Sequence, residues 1–388
     1  MKITSVDLIK CKELKASMQV PVLCRINTDE GIYGYGEAGV SIDHYSLGCF
    51  ELMKRLCAGI IGMDPLENDV IYHKLANGFW AQGGGGVIYG AISAIDTALW
   101  DIKGKAFGVP VYKLLGGKYR DKLRAYASQL QSGWKYEDFA HAPENDPEFF
   151  RDACRRAHEE GYSAIKVDFV RKCFGRENRE YLTVPSLKKI ESFIQIAREE
   201  IGDESDLILE NHNRTSVNTA IQVAKLAEPY NIMFTEEPCI ALNAENYRRL
   251  ADNINIPIAT GERTYLREGF LPLITNRSVS VIQPDLGNCG GITECKKICD
   301  LAETYGVMVQ THTCNSPISV AASLQFEAAL PNFIIHEHHT NNTTPAVTEL
   351  GLYDYQPVNG WFEIPELPGI GNELSEKALR EAEIFTVK

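Results

Sequence analysis

Acidic residues and one histidine recur through the second half of the chain at nearly equal intervals. They are Glu210, Glu236, Glu262, Asp285, His312 and Glu337, separated by 26, 26, 23, 27 and 25 residues. This interval matches one strand–helix unit of a parallel barrel, in which the carboxyl ends of successive strands meet at one mouth. A single such residue is usually a solvated loop charge. Six residues in the same phase instead indicate one shared site.

Three of these carboxylates predict a metal site. Glu210, Glu236 and Glu262 end successive strands and would raise one another's pKa if no cation were present. Ligation by oxygen atoms alone suits a hard ion, and Mg²⁺ takes two or three carboxylates while leaving positions for water and substrate. We therefore predict one Mg²⁺ per chain at these three residues. Glu237 points the other way from Glu236 in an extended strand, so we expect it to be structural.

A carboxylate and an imidazole end the next two strands. Asp285 is expected to orient His312 and to raise its basicity, which makes His312 a general base. His212 lies two residues beyond Glu210, so both side chains leave the strand on the same side. We interpret His212 as a second acid–base group, on the other side of the metal from His312.

Other polar residues near the strand ends complete the predicted site. Lys166 lies near the end of an earlier strand and is interpreted as an electrophile or a base. Asp168, Arg214 and Glu337 are predicted to contact the substrate, Glu337 by hydrogen bonds.

These residues need a scaffold of alternating strands and helices. From about Leu123 onward, short apolar segments alternate with amphipathic stretches, which indicates a parallel sheet with crossover helices. The eight predicted strands are Leu123–Ser128, Ala164–Asp168, Asp206–Glu210, Ile232–Glu236, Pro257–Thr260, Val279–Gln283, Val307–Thr311 and Phe333–His336. Helical stretches fit in all seven gaps, and no clear eighth helix follows. The pattern predicts an α/β fold with a modified TIM barrel, (β/α)7β, over residues 123–355.

The preceding residues, 1–122, predict a small α+β capping domain. The three predicted antiparallel strands are Lys2–Ile9, Val20–Thr28 and Ile32–Glu37. Apolar residues at spacings of three and four between Ala91 and Ile102 indicate a long helix. The C-terminal segment, residues 356–388, is expected to return to the capping domain and complete it.

The composition excludes several classes of partner. Lys plus Arg total 39 against 52 Asp plus Glu, a net charge of −13, whereas a surface that binds nucleic acid is basic. The N-terminus lacks the apolar core of a signal peptide, and no apolar run approaches the roughly 18 residues that span a bilayer. The 11 cysteines are scattered, which is typical of free thiols in a reducing compartment. We expect a cytoplasmic protein without nucleic-acid or membrane partners.

Several motifs together resemble the enolase superfamily, and within it the mandelate racemase subgroup. They are Ala94-Ile95-Asp96-x-Ala98-Leu99-Trp100-Asp101-Ile102-Lys103-Gly104-Lys105, Glu236-Glu237-Pro238, Gly261-Glu262, Gln283-Pro284-Asp285 with Gly290-Gly291-Ile292-Thr293, and Pro368-Gly369-Ile370-Gly371. The resemblance covers nearly the whole chain. It implies a capped (β/α)7β barrel in which Mg²⁺ and a Lys or His base generate an enediolate from the substrate.

Within the subgroup, the position of His212 resembles that of the histidine that protonates the departing 3-hydroxyl in acid-sugar dehydratases of the galactonate and mannonate kind. By the same resemblance, Asp285 and His312 match the general-base pair. Two positions depart from the family pattern. Glu210 stands where the family usually has aspartate, and Asp168 stands where the racemases have the second lysine of Lys-x-Lys. The second departure favours a one-base dehydratase over a two-base racemase.

The sequence therefore predicts a Mg²⁺-dependent dehydratase of a sugar acid, an aldonate or an aldarate, that yields a 2-keto-3-deoxy sugar acid. His312 takes the proton from C2, and His212 expels the 3-hydroxyl as water. Lys166 and the metal stabilise the enediolate, and Glu337 lies near the enolate oxygen. The loop Lys12–Pro21 of the capping domain is expected to close the mouth.

Two alternatives stay open. A racemase or epimerase of a sugar acid or another 2-hydroxy acid would use the same enediolate, with His212 returning the proton to C2. A ligand-binding barrel without catalysis is more distant, because binding alone needs no general base. The subgroup resemblance also implies a homo-oligomer built from dimers, up to an octamer.

Overall fold

Alternating apolar and polar residues near the N-terminus form the sheet of the capping domain. The computed structural model describes residues 1–14, 19–42, 44–135, 143, 145–175, 180–241 and 243–388. Its first three strands are β1 (Ile3–Lys10), β2 (Val22–Thr28) and β3 (Tyr33–Glu37), paired antiparallel in that order. The turn between β2 and β3 contains Gly31 at a φ of 78°, a left-handed conformation that glycine adopts without strain.

The described residues between β3 and the barrel contain four helices. They are α1 (His44–Ala58), α2 (Asn68–Asn77), α3 (Val87–Phe107) and α4 (Val111–Leu114). Helix α3 is buried along most of its length, and its backbone lies directly against β3. A Cβ atom added at Gly36 would overlap the carbonyl oxygen of Ala94, and one added at Gly34 would overlap that of Ala98. The two glycines therefore permit this close contact.

Eight parallel strands form the barrel. They are β4 (Lys122–Ser128), β5 (Ala164–Asp168), β6 (Asp206–Glu210), β7 (Ile232–Glu236), β8 (Ile258–Thr260), β9 (Val281–Ile282), β10 (Met308–Val309) and β11 (His336–His339). Neighbours along the chain pair with one another, and β11 pairs with β4. A bridge between Val309 and Phe333 closes the barrel between β10 and β11. The last strand therefore starts at His336 rather than at the predicted Phe333, because Phe333 takes part only in this bridge.

Helices fill all seven gaps between these strands, so the predicted (β/α)7β architecture is confirmed. In chain order they are α5 (Pro147–Glu159), α6 (Phe169–Phe174), α7 (Val184–Ile201), α8 (Val217–Ala227), α9 (Ala244–Ala251), α10 (Leu266–Thr275), α11 (Gly291–Thr304) and α12 (Pro317–Ala328). The apolar sides of these helices pack on the sheet in one continuous core. A second, smaller cluster that includes Tyr126, Phe234 and Ile335 fills the barrel interior.

The C-terminal segment runs from the barrel back to the capping domain. Helix α13 (Pro345–Thr348) precedes it, and the segment contains β12 (Trp361–Glu363), α14 (Glu376–Glu381) and β13 (Glu383–Val387). Strand β12 pairs antiparallel with β4, and β13 pairs antiparallel with β1 as the fourth strand of the capping sheet. The segment thus completes the capping domain, as predicted, whereas the boundaries after residues 122 and 355 stay predictions.

No helix within the described ranges has the length and apolar character needed to span a membrane.

Two buried carboxylates join the capping domain to the barrel. Glu37, at the end of β3, accepts hydrogen bonds from the backbone N–H and the hydroxyl of Ser316 and from the hydroxyl of Ser319, at the start of α12. Asp96, in α3, accepts from the backbone N–H and the hydroxyl of Thr293, at the start of α11. Helix N-termini favour negative charge, and in a barrel they lie beside the carboxyl ends of the strands. These contacts hold the capping domain over that mouth.

Candidate active site

Three glutamates converge at the ends of successive strands. Glu210 ends β6, Glu236 ends β7, and Glu262 follows β8; each offers a carboxylate oxygen within 4.8 Å of the others. All three are buried, and Oε2 of Glu236 has no hydrogen-bond partner among the described residues. A buried oxygen without a partner is costly, and a hard divalent cation prefers a set of carboxylate oxygens such as this one. The residues present therefore fit the predicted metal.

The pKa values of these carboxyls differ because their neighbours differ. Burial raises the pKa of Glu236 to about 7, against the opposing effect of Lys166. Burial also raises the pKa of Glu262. Burial alone would raise the pKa of Glu210 as well, but His212 and Lys166 hold it below its usual value. A cation among the three would favour the ionised form of each carboxyl.

Lys166 lies inside this carboxylate cluster. Its Nζ is 2.6 Å from Oε1 of Glu236, 2.9 Å from Oε1 of Glu337 and 3.5 Å from Oε2 of Glu210, and the side chain is 1% exposed. Burial alone would lower the pKa of Lys166, but the carboxylates raise it well above its ordinary value. The ammonium form persists in this environment, so of the two predicted roles the contacts favour the electrophile over the base.

The predicted pair of Asp285 and His312 is brought together. Nδ1 of His312 donates to Oδ2 of Asp285 at 2.7 Å, and Nε2 lies 3.4 Å from Oε2 of Glu262. Asp285 is fixed in turn, because its Oδ1 accepts from the backbone N–H of Gly287. The ring of His312 is therefore held in one orientation, with Nε2 on the side of the carboxylate cluster.

A second histidine–aspartate pair lies at the end of β5 and β6. Nδ1 of His212 is 2.6 Å from Oδ2 of Asp168, and Nε2 is 3.0 Å from Oε1 of Glu210. His212 and Asn213 have φ values of 45° and 58°, so the chain turns sharply after the strand. Burial alone would lower the pKa of His212, but Glu210 and Asp168 raise it to about 9. His212 is thus held in its protonated form.

The contacts of Asp168 place it beside His212. Its Oδ1 accepts from the backbone N–H of Arg171 at the start of α6, and its Oδ2 is engaged by His212. The side chain is fully buried and is not among the described residues that line the cavity. Asp168 therefore lies behind His212, because strand β5 passes directly into a helix that the aspartate caps, and its predicted contact with the substrate stays a prediction.

Glu337 and Arg214 both lie on the cavity wall, where the sequence predicts substrate contacts. Glu337 accepts from the hydroxyl of Ser128 and from the backbone N–H of Thr313. Burial alone would raise the pKa of Glu337, but Lys166 and then His312 lower it to about 2. Nη1 of Arg214 is buried without a hydrogen-bond partner among the described residues, which leaves a cationic donor for a ligand.

A cavity of about 200 Å³ opens over these groups. Its described lining residues are Gln19, Val40, Ile42, Gln129, Lys166, Arg171, Glu210, His212, Arg214, Glu262, Arg263, His312, Cys314, Glu337, His339 and Asn341. The capping domain supplies the first three, and Nε2 of Gln19 donates to the backbone oxygen of Cys314 across the mouth. The predicted closing loop Lys12–Pro21 thus reaches the cavity at Gln19, while residues 15–18 of that loop lie outside the described residues.

Several lining residues were not anticipated from the sequence. Gln129 directly follows β4, and its Nε2 donates to Oε2 of Glu210 at 3.0 Å. The selection of polar residues at the carboxyl ends of barrel strands would have identified Gln129 as well, had it been applied to this first strand. Arg263 pairs with Glu262 and also with Glu237, which gives Glu237 the structural role expected of it. His339 follows Glu337 by two residues on β11. The predicted strand ended at His336, so the sequence did not place His339 on it.

The fold and the site together define a class of capped barrel proteins in which acid–base groups surround a carboxylate cluster. Residues 12–116 match the family model of the mandelate racemase/muconate lactonizing enzyme N-terminal domain, and residues 149–378 match that of the enolase C-terminal domain-like family. The chain belongs to this mandelate racemase/muconate lactonizing enzyme group of the enolase superfamily, which confirms the resemblance seen in the sequence.

Three relatives carry the names of sugar-acid dehydratases. The chain is 33% identical over 366 residues to D-galactonate dehydratase of Pectobacterium atrosepticum, covering 92% of this chain and 89% of the relative. It is 32% identical over 365 residues to D-xylonate dehydratase of Haloferax volcanii, and the match covers 92% of this chain and 84% of the relative. It is 30% identical over 360 residues to D-gluconate dehydratase of Thermoproteus tenax, and the match covers 93% of this chain and 69% of the relative.

Solved structures show the same architecture. A member of the enolase superfamily from Salmonella Typhimurium superposes with a TM-score of 0.94 at 46% identity over 100% of both chains. The 3,6-anhydro-D-galactonate cycloisomerase of Zobellia galactanivorans superposes with a TM-score of 0.84 at 27% identity, over 99% of this chain and 100% of that one. The fold thus supports more than one chemistry, and the site has to decide between them.

Proposed function

We propose that the protein is a Mg²⁺-dependent dehydratase of a sugar acid, an aldonate or an aldarate, and that its product is a 2-keto-3-deoxy sugar acid. The observation that carries this proposal is the presence of two histidine–aspartate pairs around one carboxylate triad. His312 follows β10 and His212 follows β6, so the two imidazoles approach the triad from different strands. A dehydration needs both a base for C2 and an acid for the 3-hydroxyl. The names of the three relatives support the same choice.

The base step belongs to His312. Its Nδ1–H is held by Asp285, so Nε2 is the atom that takes the proton from C2. Mg²⁺, when bound by Glu210, Glu236 and Glu262, supplies Lewis-acid chemistry that makes a proton beside a carboxylate easier to remove. The ammonium group of Lys166 adds a fixed positive charge where negative charge develops on the substrate.

The acid step belongs to His212. Asp168 accepts a hydrogen bond from Nδ1, which leaves the Nε2–H to protonate the 3-hydroxyl as it departs as water. Hydroxide is a poor leaving group, so this proton decides whether the intermediate goes forward or returns to substrate. The raised pKa of His212 suits an acid that must hold its proton until the C–O bond breaks.

An epimerase is the second candidate, because the same two imidazoles on different sides of the triad also suit removal of a proton and its return to the other face. In that case His212 would deliver its proton to C2 instead of to the 3-hydroxyl.

One screen separates these functions. The protein is incubated with Mg²⁺, or with a chelator in its place, and with a library of aldonic and aldaric acids that includes D-galactonate, D-xylonate and D-gluconate. A dehydratase forms a keto product that reacts with semicarbazide, and only in the presence of the metal. A changed diastereomer without a keto product identifies an epimerase, and no turnover of any acid contradicts both proposals. The predicted oligomer of dimers is measured on the same sample by light scattering.

A further inference from the structure

Two residues at and just after the end of the last barrel strand line the cavity without a part in the steps above. Side chains alternate along a strand, so Glu337 and His339 of β11 lie on the same side. His339 is one step nearer the mouth, and both residues line the cavity. Asn341 follows in the 3₁₀ turn Thr340–Thr343 and lines the cavity as well.

The hydrogen bond within this turn fixes which nitrogen of His339 carries a proton. The backbone N–H of Asn341 donates to Nδ1 of His339 at 3.0 Å. Nδ1 is therefore an acceptor without a hydrogen, and the proton of the neutral ring is on Nε2. Burial lowers the pKa of His339 to about 3, in agreement with a neutral ring. His339 thus presents one N–H donor and no charge.

Asn341 provides the complementary group. Its side chain is 3% exposed, and its Oδ1 is buried without a hydrogen-bond partner in the described part of the chain. Buried amide oxygens nearly always have a partner, and one that is left unsatisfied destabilises the fold. Asn341 is a lining residue of the cavity, and a ligand that supplies the missing donor would satisfy this oxygen.

The turn is anchored, so both groups are held in place. Nδ2 of Asn342 donates to the backbone oxygen of Asn315 at 2.6 Å, and Nε2 of Gln356 donates to the backbone oxygen of Asn342 at 2.8 Å. Groups fixed before binding lose little conformational entropy when a ligand arrives.

We propose that His339 and Asn341 form a subsite for two neighbouring hydroxyl groups on the carbons of the sugar acid beyond C3. The Nε2–H of His339 donates to one hydroxyl, and the amide oxygen of Asn341 accepts from the other. A vicinal diol is the ligand that fits, because a hydroxyl both donates and accepts and neither residue offers a charge for a carboxylate. This inference rests on the proposed function and adds to it the residues that recognise the neutral tail of the substrate.

Two variants test the subsite with the acid of highest kcat/KM in the library described above. Asn341→Leu keeps the size of the side chain and removes its polar atoms. His339→Asn keeps an acceptor for the turn and is too short to reach the substrate. In each variant KM should rise at least about ten-fold, the equivalent of one good hydrogen bond, while kcat stays within about three-fold. Discrimination between that acid and its C4 and C5 epimers should fall in parallel.

Stability and a matched control separate binding from folding. Since Oδ1 of Asn341 has no partner to lose, Asn341→Leu should unfold at the same temperature as the wild type or higher. Thr343→Val lies in the same turn, where the Thr343 hydroxyl donates to the Thr340 backbone oxygen, and it is not a lining residue. It should leave KM unchanged. KM within two-fold of wild type in both cavity variants, or a loss of kcat at constant KM, overturns the subsite alone. A wild-type protein that converts no acid overturns the proposed function with it.

Discussion

Each of the two histidines beside the carboxylate triad is held by its own aspartate. Asp285 holds His312 and Asp168 holds His212, at 2.7 Å and 2.6 Å respectively. The surroundings of the two rings differ, because the Nε2 of His212 lies closer to a triad carboxylate than the Nε2 of His312 does. If the proposed roles hold, each aspartate supports one half of the reaction, and the halves can be separated by mutation.

Asp168→Asn should uncouple the halves. The variant leaves His312 and the carboxylate triad intact, so the C2 proton is still removed, but His212 loses the charge and the orientation that suit it to an acid. We expect the rate of keto-acid formation to fall at least about ten-fold, while deuterium from D₂O still enters C2 of the substrate. NMR of the C2 proton beside a product assay measures both.

The control is the matched change at the other pair. Asp285→Asn should lower both C2 exchange and product formation, since it acts on the base. If Asp168→Asn instead dehydrates at the wild-type rate, His212 does not depend on Asp168. If it loses exchange and product together, the two pairs do not act on separate steps.

Glu236→Gln should weaken metal binding. The substitution removes one negative charge from the triad. Glu236 is also the residue whose Oε2 is buried and unpaired among the described residues. We expect the Kd for Mg²⁺, measured by titration calorimetry, to rise at least about ten-fold, with a cooperative unfolding transition retained. An unchanged Kd would exclude Glu236 from the metal site. Glu237→Gln is the control, because Glu237 pairs with Arg263 and points away from the triad.

The residues of the site differ in how far the sequence alone can locate them. The triad and the His312–Asp285 pair follow from the phase of the strands, because each ends or follows a strand. Asp168 has the same phase, yet it begins α6 directly and is used as a helix cap. Asn341 has no periodic signal, since its position depends on a 3₁₀ turn beyond the barrel. Contacts that depend on turn geometry cannot be derived from hydrophobic alternation.

Strand β3 and helix α3 show how glycine spacing determines a tertiary contact. Gly34 and Gly36 lie on one side of β3 and face the backbone of α3. Since α3 also carries Asp96, which holds the start of α11, the closeness of strand and helix affects how the capping domain sits over the barrel.

Gly36→Ala should therefore be strongly destabilising. The new methyl group would overlap the Ala94 carbonyl oxygen, which is backbone and cannot rotate away. We expect a loss of at least about 2 kcal/mol in the free energy of unfolding, measured by urea denaturation. Gly48→Ala is the matched control. Gly48 lies in α1 with its nearest neighbour atom 3.5 Å from the added Cβ, so that change should stabilise by up to about 1 kcal/mol.

An equal effect of the two substitutions would mean that β3 and α3 can move apart at little cost.

The order of the barrel elements was accessible from the sequence, since each predicted strand overlaps an observed one, the last of them only at His336. Their lengths were not: β9 and β10 contain two residues each. Strand limits depend on which backbone groups pair across the barrel, and that is a property of the closed sheet.

The stability of the folded protein should depend on pH through the buried His338. Its ring packs against Trp134, Tyr162 and Phe362, and Nδ1 lies 2.5 Å from the hydroxyl of Tyr162. Burial, with smaller effects from His336 and His339, lowers the pKa of His338 to about 3. The unfolded chain takes up a proton near pH 6.5, whereas the folded protein does not. Stability is therefore lost as pH falls below 6.5, by about 1.4 kcal/mol for each unit.

His338→Gln removes this titration while keeping a polar group opposite Tyr162. The variant should be less stable than the wild type at pH 7, because it loses ring contacts, and should recover about 2 kcal/mol relative to the wild type by pH 5. Urea denaturation at both pH values measures the difference. A difference between variant and wild type that stays constant from pH 7 to pH 5 would contradict the assigned shift.

The pairing of β1 with β13 has a consequence for the newly made chain on the ribosome. Val6 pairs with Val387, so the edge of β1 has no partner until almost the entire sequence has been translated. At about 5–20 residues per second this takes roughly 20–75 s. Open strand edges attract other strands, so during that interval the nascent capping sheet exposes a surface on which neighbouring polypeptides on a polysome can aggregate. Protection of this edge by a chaperone, or slow assembly of the capping sheet itself, would then raise the yield of native protein.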